Sequence, residues 1–326
     1  MSLSKPFLVI SLDFELAWGV NANPVRVERY KNYFTGARKA IPHILRTFAD
    51  YQIHATWAVV GCLFARNRDE LMALLPREKP AYINPNISPY NFIQLVGRNE
   101  EEAPLYYAPS LIKEIMNYPN QEIASHTFSH YFCWEPGQDA LAFQDDLISA
   151  QKAAAHYGIQ LNSIVFPRNQ IRADYLRISR KMGFIAYRGL PKYGFDKTIK
   201  SKPRMLLMRG LRFADFYFPL TGNNICLPQN ENNATPVNIP ASRFLRPWSP
   251  ALKIFESIRL KRIVSEMTYA ARNGLGYHLW WHPENFGLNI NENLAVLKRV
   301  LDHFSKLRES FGMESLGITE VVNRMQ

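Results

Sequence analysis

Short runs of apolar residues alternate along the chain with longer stretches in which apolar side chains recur every three to four positions. That is the pattern of a parallel sheet or barrel wrapped by helices. Phe7 to Leu12 (FLVISL) predicts a first strand, and Gly36 to Tyr51, with Ile41, Ile44, Leu45 and Phe48 on one face, predicts a helix. Ala55 to Val60, Glu122 to Ser125, Ser163 to Phe166, Phe184 to Arg188 and Gly276 to Trp281 predict further strands. Helices are expected after Gly61 and over Leu111 to Tyr118, Asp139 to Tyr157, Asp174 to Met182, Leu252 to Arg272 and Asn291 to Arg308, with Gly158 and Gly183 at terminating positions. One more strand and helix are expected between Met313 and Met325. Two stretches lack such a period: a Pro, Asn and Tyr-rich one over about 76–109, and a Pro-rich one over about 189–250. They read as insertions into a single domain spanning 1–326, the second as a lid or partner surface.

A chain of 326 residues accommodates one large barrel domain. Its 47% apolar and 21% charged residues are ordinary globular usage and exclude disorder, collagen and coiled coil. The net charge of +11 is regional: 20 basic and 6 acidic residues fall between Arg168 and Arg272. Cys62, Cys133 and Cys226 are odd in number and form no Cys-x-x-Cys pair, so a disulfide framework is not supported and a reducing compartment fits. The first apolar run is interrupted by Asp13 and lacks the flanks of a signal peptide, and no stretch approaches the roughly 20 apolar residues of a membrane span. A soluble, cytoplasmic protein is expected, with peripheral membrane contact still open.

The polar residues at predicted strand ends are where barrel chemistry sits. Asp13 and Glu15 share one face of the first strand and suit a metal ligand plus a general base, or an acid and nucleophile pair acting on a glycosidic bond. His126 and His130, in SHTFSH, follow the third strand; if the chain turns helical there, both imidazoles face one ion. Two histidines and one carboxylate leave a coordination position open, as a catalytic divalent ion such as zinc requires. His278 and His282 share a face of the late strand; His278 reads as a core histidine, and His282, before Pro283, as a proton donor. Arg168, in VFPRNQ, follows the fourth strand and could orient and ionise a carboxylate base.

Together SLDFE, ATWAVVG, SHTFSH and HLWWHP resemble the motifs of the polysaccharide deacetylase family, the carbohydrate esterases with a NodB-type homology domain, from about Phe7 to Pro283. The resemblance implies a distorted (β/α)7-type barrel and metal-dependent removal of an N-acetyl group from an amino sugar. It gives Asp13 the place of the base, Glu15 that of the carboxylate ligand, His126 and His130 those of the imidazole ligands, and His282 that of the acid. Two features depart from the family pattern: Asp-Phe-Glu replaces adjacent Asp-Asp, and VFPRNQ departs from Arg-x-Pro-x-Gly.

The chemistry follows from the residues too. Asp13 would take a proton from water, a backbone N–H between Arg168 and Gln170 would share the oxyanion, and His282 would protonate the departing nitrogen. The basic stretch suits an anionic substrate, such as an amino sugar on a nucleotide diphosphate or a lipid diphosphate. RFLRPW, from Arg243 to Trp248, could touch phosphate or an interface. A glycoside hydrolase using Asp13 or Glu15 with Glu284 is the main alternative. A nucleic-acid-binding protein is a third reading, but no nucleic-acid motif accompanies the charge, and nucleic acid is not an expected partner.

Overall fold

The computed structural model describes residues 4–191, 210–211, 213–217, 222–230 and 232–325. Among them β1 (Phe7–Phe14), β2 (Ala55–Val59), β3 (Gln121–Ser125), β4 (Ser163–Ile164), β5 (Ala186–Gly189), β6 (Val237–Pro240), β7 (Arg243–Phe244), β8 (Gly276–Trp281) and β9 (Glu314–Ser315) form one sheet. Its order is β6-β5-β4-β3-β2-β1-β8-β7, with β9 beside the start of β1, and every pairing is parallel. The two edges are consecutive in the chain. Ala241 N donates to Gly189 O on one side (2.9 Å), and Ser242 N to His278 O on the other (2.8 Å), so the sheet curls around. This is the expected distorted barrel. Both β6 and β7 lie inside 189–250, where runs of four and two residues are too short to show a strand period.

Alternation along β1 sorts its side chains into two layers. Leu8, Ile10, Leu12 and Phe14 face outward, into a core shared with the surrounding helices. Phe7 and Val9 face inward and pack with Ala58, Ala124, Val165, Ala186, Val237 and Ile239. That inner layer is sealed at the N-terminal end of the strands by the last helix, through Ile318, Val321 and Val322. Above the apolar floor the same inward positions become polar: Ser11 and Asp13 on β1, Arg188 on β5, His278 on β8.

The helices run close to expectation. α1 (Pro24–Asp50) buries Ile41, Ile44, Leu45 and Phe48 but begins well before Gly36, because Asn23 caps it by accepting from Arg26 N and Pro24 starts it. Its first turns are largely exposed, so no apolar stripe marks them. Gly36 is a point of close approach: a Cβ there would lie 1.9 Å from Gly287 O. α2 (Arg68–Ala73), α3 (Pro109–Asn117), α4 (Ala140–Ala155), α5 (Ala173–Lys181), α6 (Glu256–Arg272), α7 (Pro283–Phe286), α8 (Ile290–Phe311) and α9 (Ile318–Met325) complete the described set. Residues 76–109 hold no strand or long helix, only short 3-10 turns over Pro85–Leu95. No helix of the described residues is long and apolar enough to cross a membrane. The three cysteines are free and buried.

Candidate active site

The inward-facing carboxylates at the end of β1 meet side chains from three other strands. Asp13 is 3% exposed and receives both ends of the Arg188 guanidinium, at 2.6 and 2.7 Å. Burial would raise the Asp13 pKa, but Arg188, with His126 and His282, outweighs it and holds the carboxyl below its ordinary value. Arg188 is fixed in turn by Ser11 Oγ and Asn169 Oδ1, each at 3.2 Å, and by the Trp280 ring, 4.1 Å from its guanidinium carbon. Ser11 also bonds His278 Nε2 (2.8 Å). Burial, with Arg188 nearby, pushes the His278 pKa down to about 3. That imidazole is neutral, a core histidine as expected.

Glu15 is placed by backbone contacts as well as by its strand. Glu284 Oε1 accepts from Leu16 N (2.6 Å) and Glu15 N (3.3 Å), fixing a turn in which Leu16 has positive φ. Gly19 gives the carboxylate its room, since a Cβ there would lie 2.0 Å from Glu15 Oε2. Glu284 is itself buried, and burial, reinforced by Glu15, raises its pKa to about 7.

The SHTFSH segment does not turn helical. Thr127 and His130 both take positive φ, and the turn is held from below by Asp146 of α4. Asp146 accepts from Phe128 N (2.6 Å), Ser129 N (3.1 Å) and Ser129 Oγ. The 76–109 segment supports it from the side: Tyr82 Oη accepts from Phe132 N at 2.8 Å. This local hydrogen bonding competes with a helix and wins. Both imidazoles still converge, because the turn brings His126 Nε2 to 2.9 Å and His130 Nε2 to 3.2 Å from the same oxygen, Glu15 Oε1.

That contact is a test of whether a cation belongs there. His126 Nδ1 lies 2.8 Å from Val165 O and must carry a proton to donate to it, so in the neutral ring Nε2 is the nitrogen with a lone pair, and it is turned toward Glu15. The His130 pKa is lowered by burial, despite Glu15, and His130 Nδ1 is buried without a partner. The Glu15 pKa is well below the usual range: burial opposes this, but His130, His282 and the imidazole hydrogen bonds prevail. A neutral lone pair against a carboxylate is repulsive unless a cation or proton lies between them. One carboxylate and two imidazoles, their ligand atoms all within 4.8 Å of one another, fit a divalent metal ion.

His282 Nε2 completes the group, 3.4 Å from Glu15 Oε1 and 3.8 Å from Asp13 Oδ2. Burial would lower its pKa, but Glu15, Asp13 and Glu284 raise it to about 9, so the ring is protonated near neutrality. Phe244 and Trp280 border it, with ring centres 6.2 and 5.7 Å away.

Arg168 does not join Asp13. It follows β4 with positive φ, reaches Glu135 at 3.5 Å and lies 3.9 Å over the Phe132 ring. Arg188 holds the place expected for Arg168. It carries the strand-end signal that singles out Asp13, the last residue of a short apolar run, and could have been found on that ground. The N–H groups of Asn169 and Gln170 are spent on Phe166 O and Pro167 O, so they are not oxyanion donors. In RFLRPW, Arg243 is buried and bidentate to Glu266 (2.7 and 2.6 Å) and Leu245 is buried, so neither faces a phosphate.

Residues 32–187 match the family model described as polysaccharide deacetylase, a span that includes SHTFSH but not Asp13, Glu15, Arg188 or His282. No curated protein sequence matches the chain. Among solved structures, a Mycobacterium smegmatis protein described as a polysaccharide deacetylase is similar with TM-score 0.60 and 12% identity, over 99% of this chain and 90% of its own. A Pseudomonas aeruginosa PAO1 protein described in the same way gives TM-score 0.58 and 10% identity, over 98% and 91%. PuuE allantoinase gives 0.58 and 12%, over 98% and 90%. At such identities these likenesses show the fold, while the family match supports a carbohydrate deacetylase. The resemblance read from the sequence motifs is thus carried by an independent match to the polysaccharide deacetylase family over residues 32–187.

Proposed function

We propose that the protein hydrolyses the N-acyl group of an amino sugar, using a divalent ion, zinc by preference, held by Glu15, His126 and His130. The observation that carries this reading is the convergence of two imidazole nitrogens on one Glu15 oxygen, with the His126 tautomer fixed by Val165 O. When bound, such an ion supplies Lewis acidity toward a carbonyl and a more acidic water. The remaining work falls to the protein. Asp13, kept ionised by Arg188, accepts the proton of the attacking water. His282, beside Asp13 and Glu284, whose charges favour its protonated form, delivers a proton to the amide nitrogen as the C–N bond breaks, so that amine and carboxylate leave. Phe244 and Trp280 shield His282 on one side.

The basic composition between Arg168 and Arg272 supports an anionic substrate, an amino sugar on a nucleotide or lipid diphosphate, used in the cytoplasm during assembly of a surface polysaccharide. Acetate release from a panel of N-acetylated sugars tests the substrate; equal turnover of the free and the diphosphate-linked sugar would remove the motive for the anionic one. His126→Ala and His130→Ala should abolish both metal content, read by elemental analysis, and acetate release. Full activity in a metal-free double variant would end the reading.

A further inference from the structure

Helix α6 buries Ile263, Met267, Ala270 and Ala271 against the rest of the fold. Its other faces should be polar, yet the 3-10 turn that leads into it leaves Ile254 71% and Phe255 37% exposed, and Ile258, one helical turn after Ile254, is 39% exposed. The apolar surface continues onto a neighbouring segment. Phe255 packs against Tyr217, with ring centres 5.8 Å apart, and Tyr217 against Phe213 at 5.6 Å; Phe213 is 42% exposed.

Basic side chains frame this surface. Lys253 and Lys261 are exposed, and the Arg246 guanidinium lies 4.4 Å over the Phe213 ring. Glu256, the acidic residue of the same turn, is ion-paired to Arg259, which leaves the surface charge here basic. Isolated exposed apolar residues need no explanation, but a contiguous set flanked by lysine and arginine has the composition of a segment that lies in the headgroup layer of a charged bilayer.

We propose that the patch formed by Phe213, Ile254, Phe255 and Ile258 docks the protein on the headgroup surface of an anionic membrane. Aliphatic and aromatic side chains would enter the acyl boundary while Lys253, Lys261 and Arg246 meet the lipid phosphates. The patch adjoins the active site: Phe216, close to Phe213 in the chain, meets Phe244 with ring centres 6.2 Å apart, and Phe244 borders His282. A substrate on a lipid carrier would reach His282 from the membrane plane. Docking itself does not depend on the deacetylase reading.

The test is co-sedimentation of the full chain with phosphatidylcholine vesicles, with and without phosphatidylglycerol. The protein should pellet with the anionic vesicles and release as salt rises. Ile254→Ser with Ile258→Ser should lower the partition coefficient roughly tenfold or more. Lys253→Gln with Lys261→Gln should lower it roughly twenty-five-fold, about fivefold for each charge lost. Each variant should keep the parent's circular dichroism and whatever hydrolysis of a soluble substrate the parent shows, so loss of docking and loss of the catalytic reading are separable. Absence of binding to anionic vesicles, or equal binding by parent and both variants, would overturn the proposal. A dimer in solution that the isoleucine substitutions dissociate would overturn it as well, assigning the patch to a second copy of the chain.

Discussion

Replacement of Arg188 by Met keeps an apolar stem in place and removes the charge that faces Asp13. Arg188 is 1% exposed and Asp13 3%, so the carboxylate would be left buried. Opposite charges in contact attract by about 4 kcal/mol at an effective dielectric constant near 20, and stripping one partner from a buried pair costs about 3–5 kcal/mol. The variant also loses the bonds to Ser11 and Asn169 and the stack on Trp280. The loss should therefore reach that range at alkaline pH and be smaller in acid, where Asp13 can take a proton. In the parent, the depressed folded pKa gives stability that is present above the unfolded value and lost as pH falls through the folded one. Without Arg188, burial dominates and the folded pKa rises above the unfolded one. The contribution then reverses sign: it is present below the unfolded pKa and lost as pH rises through the folded value. Urea melts at about pH 5 and about pH 8 read this directly, the deficit being larger at the higher pH. Activity at neutral pH should fall by about 10² or more and recover partly as pH is raised, because a protonated Asp13 accepts no proton. Arg168→Met is the matched control and should keep the parent's pH profile. An Arg188→Met protein with the parent's melting midpoint at both pH values and an unchanged pH-rate profile would refute the reasoning.

Gly19→Ala should lower affinity for the divalent ion by about 10–100-fold with the fold intact, since the new Cβ would lie 2.0 Å from Glu15 Oε2; calorimetric titration with the ion checks it, and parental affinity would remove Glu15 from the ligand set. Glu284→Gln keeps an acceptor for Leu16 N and should retain activity within about tenfold, whereas Glu284→Ala, which leaves that buried N–H unpaired, should lose more; a glycoside hydrolase that used the carboxyl would lose everything in both. Asp146 has its pKa raised to about 6, first by burial, so the fold binds more protons than the unfolded chain between about pH 4 and pH 6. Its contribution is full below that interval and falls by about 3 kcal/mol as pH rises through 6. Thermal melts of the parent and Asp146→Asn across the interval should differ by that slope, and parallel curves would contradict it.

The strand and helix pattern was legible because each inward strand position alternates with an outward one and each long helix has a buried stripe. Strand β8 begins and ends where its apolar run does, at Gly276 and Trp281. What escaped had no periodic signal. α1 begins at Pro24 because a cap and a proline start it, on turns too exposed to show a stripe. Strands β6 and β7 are too short to show a period. At the site, strand-end position picked out Asp13, Glu15, His126 and His282, and spacing picked out His130. The same rule picked out Arg168 after the fourth strand, although VFPRNQ departs from the family order, and applied to the predicted strand Phe184 to Arg188 it ends on Arg188, the residue that the geometry sets against Asp13. The i, i+4 spacing of the histidines suggested a helix, yet the turn reaches the same convergence through positive φ at Thr127 and His130, conformations that no spacing announces.

The inward face of the barrel explains why these groups can be charged at all. Moving along the strands from the floor, Phe7, Val9 and Ala186 are apolar, Ser11 and His278 are polar and neutral, and the charged side chains Asp13, Arg188 and His282 lie toward the strand ends. Ser11 links these layers. Its oxygen accepts from Arg188 Nη1, and the same hydroxyl shares a hydrogen bond with His278 Nε2, which can accept the Ser11 proton when the imidazole is neutral. A histidine protonated at this point would be desolvated and would meet Arg188 with like charge, and the low His278 pKa follows from burial first and Arg188 second. The guanidinium is thereby held from beneath by a neutral relay and from the side by Trp280, leaving both of its terminal nitrogens to Asp13. Because Ser11 and Asp13 lie on β1, Arg188 on β5 and His278 and Trp280 on β8, the alignment of acid and base depends on a sheet that curls far enough to bring β5 and β8 together. The two residues that make the turn, Ala241 and Ser242, bond to Gly189 and His278, the strand positions next to Arg188 and within that relay. Closure of the fold and alignment of the site are in this sense one event, carried by the same few hydrogen bonds.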